Sequence, residues 1–181
     1  ALLHARGKVD LVIPRGSADL IRRVVDDSSV PTIETGAGVC HVYVDEFADL
    51  EKALPILMIS KTHRPSVCNA AETLLVHTSV AEKFLPTALS ALIEAGVTIH
   101  ADNPVLEIAQ KSSLNVSAAT ESNWSTEYNA LEMNVGVVPD LLSASDHIAK
   151  YGTKHTEAIV TENEENANKF VALSDCAAVM V

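Results

Sequence analysis

Short apolar runs alternate with segments of helical periodicity along most of this chain. The runs have the length of buried strands, and between them apolar residues recur every three or four positions. This repeated strand–helix–strand order predicts an α/β fold with an open, mostly parallel sheet and helices on both faces. The predicted strands span 9–14, 30–33, 40–44, 72–77, 97–100, 130–138, 158–161 and 177–181.

Helices are predicted from capping residues and from the spacing of apolar positions. Ser17 is expected to cap a helix that ends near residue 26, and a turn is expected at 35–38. Pro55 is expected to kink one helix and Pro86 to divide another. The predicted helical regions are 17–26, 49–60, 79–95, 143–150 and 164–173.

Residues 102–127 are polar and weakly patterned, so a loop or an insertion is expected there. Parallel α/β sheets bind ligands at the carboxyl ends of their strands. We therefore expect the chemistry of this protein in loops that follow strands.

Composition and charge narrow the class of protein. The chain is 48% hydrophobic and only 4% aromatic, which indicates an aliphatic core typical of helix-covered parallel sheets. A net charge of −11 and a pI of about 4.9 argue against an extended nucleic-acid or anionic-membrane partner. No apolar run reaches the roughly 18 residues of a membrane span, and no signal peptide is recognised.

Three widely separated cysteines, Cys40, Cys68 and Cys176, do not predict a disulfide framework or a zinc site. The pattern suits a reducing cytosol, so a cytoplasmic protein without a metal is expected. His41 and His77 lie in apolar strands and are expected to be core or strand-end residues.

Cys68 is the candidate nucleophile. It lies in KTHRPSVCNA (61–70), between a helix and a strand, with Lys61, His63 and Arg64 just upstream. Nearby positive charge raises the thiolate fraction of a cysteine, and it could also hold a phosphate. The residues alone leave open a second interpretation, in which Cys68 is a small buried side chain and the basic residues form a solvated loop.

The segment RPSVCNAAETLLVH (64–77) resembles the signature of the gamma-glutamyl phosphate reductases, also called glutamate-5-semialdehyde dehydrogenases. The resemblance covers nearly the whole chain and is weakest from 102 to 122. It implies the fold of the aldehyde dehydrogenase superfamily, whose catalytic domain is an open α/β sheet. Three further stretches resemble the family in the same order: VDLVIPRGSADLIRRV (9–24), GVCHVYVDEFADLEKA (38–53) and YGTKHTEAIVTENEENANKF (151–170).

The resemblance implies that Cys68 forms a thioester with the substrate, with its backbone N–H as a candidate donor to the oxyanion. Glu34 stands where the superfamily has a general base. Reduction of an acyl phosphate to an aldehyde requires no water, so Glu34 is expected to act structurally or to handle protons on the thiol. Lys61, Arg64, Asn69 and His155 are expected to bind the substrate.

For the cofactor NADPH, the resemblance implies contacts from three residues. Glu127 resembles the superfamily glutamate at the nicotinamide ribose. Gly16 and Ser17 resemble the turn beside the cofactor phosphates, and a helix N-terminus favours such an anion.

The implied reaction is the NADPH-dependent reduction of L-glutamyl 5-phosphate to glutamate 5-semialdehyde and phosphate, the second step of proline biosynthesis. A homo-oligomer and a glutamate kinase, separate or fused, are the expected partners. The nearest alternative is an acylating aldehyde dehydrogenase that uses a coenzyme A thioester, against which the Arg64-Pro65 and Cys40-His41 contexts argue. A third possibility is an inactive domain that self-associates.

Two domains are expected: residues 1–33 as the end of the cofactor-binding domain, and residues 34–181 as the catalytic domain. The chain is expected to lack most of the cofactor-binding half and the family's Asn-Ala-Ser-Thr-Arg-Phe segment after Val181. We therefore expect it to be inactive alone.

Overall fold

The computed structural model describes residues 2–34 and 36–181. These residues fall into two compact units, the smaller ending at residue 37 and the larger spanning 38–181. Thr35, in the predicted turn, lies outside the described residues. The assignment of the first unit to a cofactor-binding domain stays a prediction.

The smaller unit holds helix α1 (Ala18–Asp27) and a single parallel bridge between Val12 and Thr32. Ser17 caps α1 as predicted, because its Oγ accepts a hydrogen bond from the Leu20 N–H at 3.4 Å. The prediction of two strands at 9–14 and 30–33 is wrong beyond this bridge. Ile13 is 62% exposed, and an isolated strand pair without a covered apolar face is marginal.

The larger unit is built on a seven-stranded sheet in which every pairing is parallel. Its strands are β1 (Cys40–Val44), β2 (Ala71–His77), β3 (Thr98–Ala101), β4 (Ser117–Ala118), β5 (Glu132–Val138), β6 (Thr156–Val160) and β7 (Ala178–Met180). Their order across the sheet is β4-β3-β5-β2-β1-β6-β7, so β5, β2, β1 and β6 are central.

Helices cover both faces of this sheet, which confirms the predicted α/β class. They are α2 (Leu50–Thr62), α3 (Thr78–Glu94), α4 (Asn103–Lys111), α5 (Leu141–Tyr151) and α6 (Glu164–Leu173). Leu57, Leu85 and Val105 from the first three belong to one apolar core, whereas Ile148 and Phe170 from the last two belong to the other. No helix in the described ranges combines the length and apolar character needed to cross a membrane.

Helix α3 continues through Pro86, contrary to the prediction that this proline divides it. A proline inside a helix removes one hydrogen bond and costs roughly 3 kcal/mol. The apolar face of α3 offsets that cost, because Phe84, Leu85, Leu89 and Leu92 are almost fully buried.

The segment 102–127 is not the unstructured loop that its polarity predicts. It contains α4, whose N-cap Asp102 accepts a hydrogen bond from the Val105 N–H at 3.0 Å, with Pro104 in the first turn. Val105, Ile108 and Ala109 bury one face of this helix. A stripe of three apolar residues is short, which is why periodicity did not reveal it.

Candidate active site

The candidate thiol lies at the amino ends of the parallel strands. Cys68 is on the loop that leads into β2, Glu127 precedes β5 and His155 precedes β6. Because the sheet is parallel, the loops that enter the four central strands share one edge. The expectation that the chemistry follows the carboxyl ends of strands therefore does not hold for Cys68.

Two consecutive turns present Cys68. The Val67 N–H donates to the Arg64 carbonyl at 3.3 Å, and the Ala70 N–H donates to the Val67 carbonyl at 3.0 Å. Pro65 follows Arg64, where its fixed φ suits the second position of a turn. Cys68 stands at the centre of the second turn and is exposed, and its backbone N–H finds no acceptor among residues 2–34 and 36–181.

The peptide of Cys68 is packed against the loop that enters β1. A Cβ built on Gly38 would lie only 1.6 Å from the Cys68 carbonyl oxygen, so only glycine fits there. The Cys40 Sγ donates to the same carbonyl oxygen at 3.4 Å. The Cys68 carbonyl is therefore held by two residues of the segment that enters and begins β1.

Two more loops join this arrangement through hydrogen bonds to residues 38 and 39. The Oε1 of half-buried Glu127 accepts from the Gly38 N–H at 2.7 Å. The Thr153 Oγ1 accepts from the Val39 N–H at 2.9 Å. The loops before β1, β2, β5 and β6 thus form one connected cluster around Cys68.

Lys61 and Glu72 form a buried ion pair at the two ends of the Cys68 loop. Their Nζ and Oε2 atoms are 2.6 Å apart, and both side chains are almost completely buried. Burial lowers the pKa of Lys61 and raises the pKa of Glu72, while the ion pair opposes both shifts. The geometry supports a structural role for Lys61 and corrects the substrate contact expected from the sequence, because its ammonium group is enclosed with a carboxylate.

The other residues expected at the substrate remain accessible. Arg64 and Asn69 are exposed beside Cys68, as is His63. His155 is half-buried, with its Nδ1 2.8 Å from the Thr156 Oγ1. Because Lys61 is buried, His63 and Arg64 are the accessible basic side chains close to Cys68 along this loop.

Three predicted site residues belong to the smaller unit. Gly16 has a φ of 155°, and a Cβ there would lie 2.6 Å from the Leu20 Cδ2. Ser17 caps α1, so backbone N–H groups of a ten-residue helix begin directly after Gly16. A helix N-terminus of this kind fits a phosphate of a nicotinamide cofactor. Glu34 is exposed.

Glu72, Gly38 and Thr153 were missed as site residues by the sequence interpretation. Gly38 carries a usable sequence pattern, because it closes a turn of small residues directly before a strand. Glu72 and Thr153 carry none, since their partners are distant along the chain. Among the described residues, no group of three or more His, Cys, Asp or Glu side chains could hold a metal.

Limited treatment with iodoacetamide is expected to label Cys68 before the other two cysteines. Cys40 is only 3% exposed, and burial raises its pKa to about 12. Burial also raises the pKa of Cys176. Because the thiolate is the nucleophile, both act as poor targets beside an exposed thiol. Peptide mass mapping checks the order, with Cys68→Ser as the control, and earlier labelling of Cys40 or Cys176 would contradict it.

No family model matches the chain. Among solved structures, an acetylating aldehyde dehydrogenase from Geobacillus thermoglucosidasius matches 97% of this chain and 46% of its own, with a TM-score of 0.73 and 18% identity. At that identity the likeness shows the fold alone. The larger unit therefore has the fold of the aldehyde dehydrogenases, with an exposed cysteine at the amino edge of its sheet.

Two closer matches identify the family. The gamma-glutamyl phosphate reductase of Thermobifida fusca is 55% identical over 180 residues, which are 99% of this chain and 42% of that protein. The crystal structure of gamma-glutamyl phosphate reductase from Thermotoga maritima matches 99% of this chain and 42% of its own, with 46% identity and a TM-score of 0.95. The chain belongs to the gamma-glutamyl phosphate reductase family and spans about two fifths of the length of these relatives.

Proposed function

We propose that this chain is the cysteine-bearing segment of an enzyme that reduces L-glutamyl 5-phosphate to glutamate 5-semialdehyde and phosphate with NADPH, in proline biosynthesis. The observation that carries the proposal is the exposed Cys68, which stands on a turn with a fixed carbonyl and with an N–H that has no acceptor in the described part of the chain. The names of the relatives support an acyl phosphate as the substrate.

The first step assigned to this chain is acyl transfer to sulfur. The Cys68 thiolate attacks the acyl carbon, a C–S bond forms, and the C–O bond to phosphate breaks as inorganic phosphate leaves with the electron pair. Between these two events, negative charge develops on the carbonyl oxygen of the substrate. The backbone N–H of Cys68 belongs to the same residue as the attacking sulfur and is proposed to donate a hydrogen bond to this oxygen. Donors fixed before the reaction are worth more than donors that must reorganise.

The nicotinamide cofactor supplies a hydride to the thioester when it is bound. Glu127 is proposed to contact its ribose, and Gly16 and Ser17 its phosphates. These residues supply only part of a nucleotide site, so turnover is assigned to the full-length protein and not to the isolated chain. Glu34 is not assigned the activation of a water, because water would hydrolyse the thioester.

Arg64, Asn69 and His155 are proposed to hold the substrate. The chain has a net charge of −11, so an anionic substrate requires local cations. Arg64 is suited to the phosphate because a guanidinium binds it through two parallel hydrogen bonds. We also propose a cytoplasmic homo-oligomer that acts after a glutamate kinase, separate or fused.

Acylation of the 181-residue chain tests the proposal without the cofactor. Acetyl phosphate is expected to place one acetyl group on Cys68, whereas acetyl-CoA at equal concentration reacts much more slowly. The reason is that the loop offers Arg64 to a phosphate leaving group. Mass spectrometry of intact and digested protein measures both reactions.

Cys68→Ser is the control, because an alcohol at this position does not form a thioester. Arg64→Met should slow the acetyl phosphate reaction while leaving alkylation by neutral iodoacetamide unchanged. Faster acylation by acetyl-CoA would favour the alternative, an acylating aldehyde dehydrogenase that uses coenzyme A.

A further inference from the structure

We propose that Glu127 is a positioning residue for Cys68, acting through Gly38, in addition to any contact that it makes with a cofactor. The inference rests on the proposed function for its consequence in acyl transfer. Its geometric part, the link from Glu127 to the Cys68 peptide, is independent of that function.

The first link joins Glu127 to Gly38. The Glu127 Oε1 accepts from the Gly38 N–H at 2.7 Å, and this is the sole hydrogen bond of Glu127 within the described part of the chain. Hydrogen bonds from a backbone N–H to a carboxylate are stronger than those between neutral groups. Gly38 itself is buried, so its N–H depends on this partner.

The second link joins Gly38 to Cys68. The Cα of Gly38 sits so close to the Cys68 carbonyl that an added Cβ would reach 1.6 Å from the oxygen. A shift of Gly38 therefore moves against the Cys68 peptide or opens a gap beneath it. Since the peptide plane is rigid, the position of the carbonyl fixes the peptide between Cys68 and Asn69. The preceding peptide, which contains the Cys68 N–H, is oriented through its Val67 carbonyl, because this carbonyl accepts the turn hydrogen bond from the Ala70 N–H at 3.0 Å.

The buried Lys61–Glu72 ion pair also contacts the segment that carries Glu127. The Glu72 Oε1 accepts from the Asn129 N–H at 3.4 Å, while its Oε2 is paired with Lys61. The same ion pair thus connects both ends of the Cys68 loop to residue 129. The segment that carries Glu127 is therefore linked by hydrogen bonds to the Cys68 loop that Glu127 is proposed to position.

The consequence is that Glu127, which is proposed to contact the cofactor, also influences the position of the Cys68 backbone through Gly38. A carboxylate has two oxygens, so Oε1 can hold Gly38 while Oε2 meets a hydroxyl group. Positioning of the thiol residue matters most when its backbone N–H must meet a developing oxyanion. Alkylation by iodoacetamide forms no oxyanion and serves as the reference reaction.

The test compares Glu127→Ala and Glu127→Gln in the 181-residue chain. Amide exchange at Gly38 and at Ala70, which closes the Cys68 turn, reports the geometry. The ratio of the rate of acylation by acetyl phosphate to the rate of alkylation by iodoacetamide at Cys68 reports how well the oxyanion is stabilised. Glu121→Ala is the control, because this glutamate lies on the same segment but pairs with Lys150 and Tyr151.

We expect Glu127→Ala to speed exchange at Gly38 and Ala70 by about tenfold, because the Gly38 N–H loses its acceptor and the adjacent Cys68 turn loosens. The acylation-to-alkylation ratio should fall by about tenfold, because a displaced N–H stabilises the oxyanion less well. Glu127→Gln should stay within about threefold of the parent, because its amide oxygen still accepts from Gly38. Glu121→Ala should match the parent.

Unchanged exchange at Gly38 and Ala70 in Glu127→Ala would overturn the proposal, as would a loss in Glu127→Gln equal to that in the alanine variant. If the parent chain is not acylated by acetyl phosphate, the proposed acyl transfer fails in this chain. Exchange at Gly38 and Ala70 then decides the positioning role alone, so the two failures are distinguishable.

Discussion

Replacing Cys68 with alanine in a full-length reductase that carries this segment is expected to lower kcat/KM by about 10³-fold or more, as for other covalent nucleophiles. The loss follows because, in the proposed mechanism, Cys68 is the group that forms the thioester. Glu34→Gln should retain substantial activity if no water is activated. Steady-state reduction of L-glutamyl 5-phosphate, followed by NADPH consumption, measures both.

Cys176→Ala is the matched control for this series, because it removes a half-buried thiol from the loop that precedes the edge strand β7. It should leave kcat/KM nearly unchanged. A Glu34→Gln loss as large as that of Cys68→Ala would contradict the assignment and give the carboxylate an essential catalytic role.

Lys61→Met is expected to destabilise the chain by about 3–5 kcal/mol, the typical cost of removing one partner of a buried ion pair. The substitution keeps the length of the side chain but leaves Glu72 buried without its cation. Adding Glu72→Gln to Lys61→Met should recover part of the loss, because no buried charge remains. Urea unfolding followed by circular dichroism measures the free energy of unfolding.

Lys52→Met is the control on the same helix. Lys52 pairs with Glu162 at 2.8 Å, but both side chains are more than half exposed. Exposed pairs contribute little to stability, so this variant should unfold close to the parent midpoint. If Lys61→Met costs no more than Lys52→Met, the Lys61–Glu72 pair does not hold the Cys68 loop as we describe.

Elements with a strong local pattern could be predicted from the sequence. Helix α6 spans Glu164–Leu173, the range expected, because Asn163 caps it and an acidic first turn follows. Strand β1 was likewise found at 40–44. Local patterning failed at 102–111, where the cap Asp102 and Pro104 were present but the apolar stripe was short.

The surroundings of the candidate thiol depended on long-range contacts that local patterns do not encode. Lys61 and Arg64 are both basic residues just before Cys68. Lys61 nevertheless points inward, because it pairs with the buried carboxylate of Glu72, 11 residues later. Glu127 and Gly38 are 89 residues apart, and their hydrogen bond depends on the pairing of the central strands. A basic loop residue and a buried ion-pair partner look alike in sequence.

The candidate thiol also lies at the amino edge of the sheet, and not at the carboxyl edge where the sequence analysis expected the chemistry. The carboxyl-end rule describes ligands that meet helix N-termini after parallel strands. Cys68 stands on turns before β2 and depends on backbone packing against Gly38 in place of a helix dipole. Residues that act through such packing are recognised only once the loops are placed together.

The most direct test of the central claim is the covalent adduct formed with L-glutamyl 5-phosphate, produced in place by a glutamate kinase from ATP and glutamate. After a rapid acid quench, mass mapping should find one glutamyl group on Cys68, and none after Cys68→Ala. Omission of ATP should abolish the adduct. A glutamyl group carried by another residue, or an unmodified Cys68 while the acyl phosphate is present, would contradict the account.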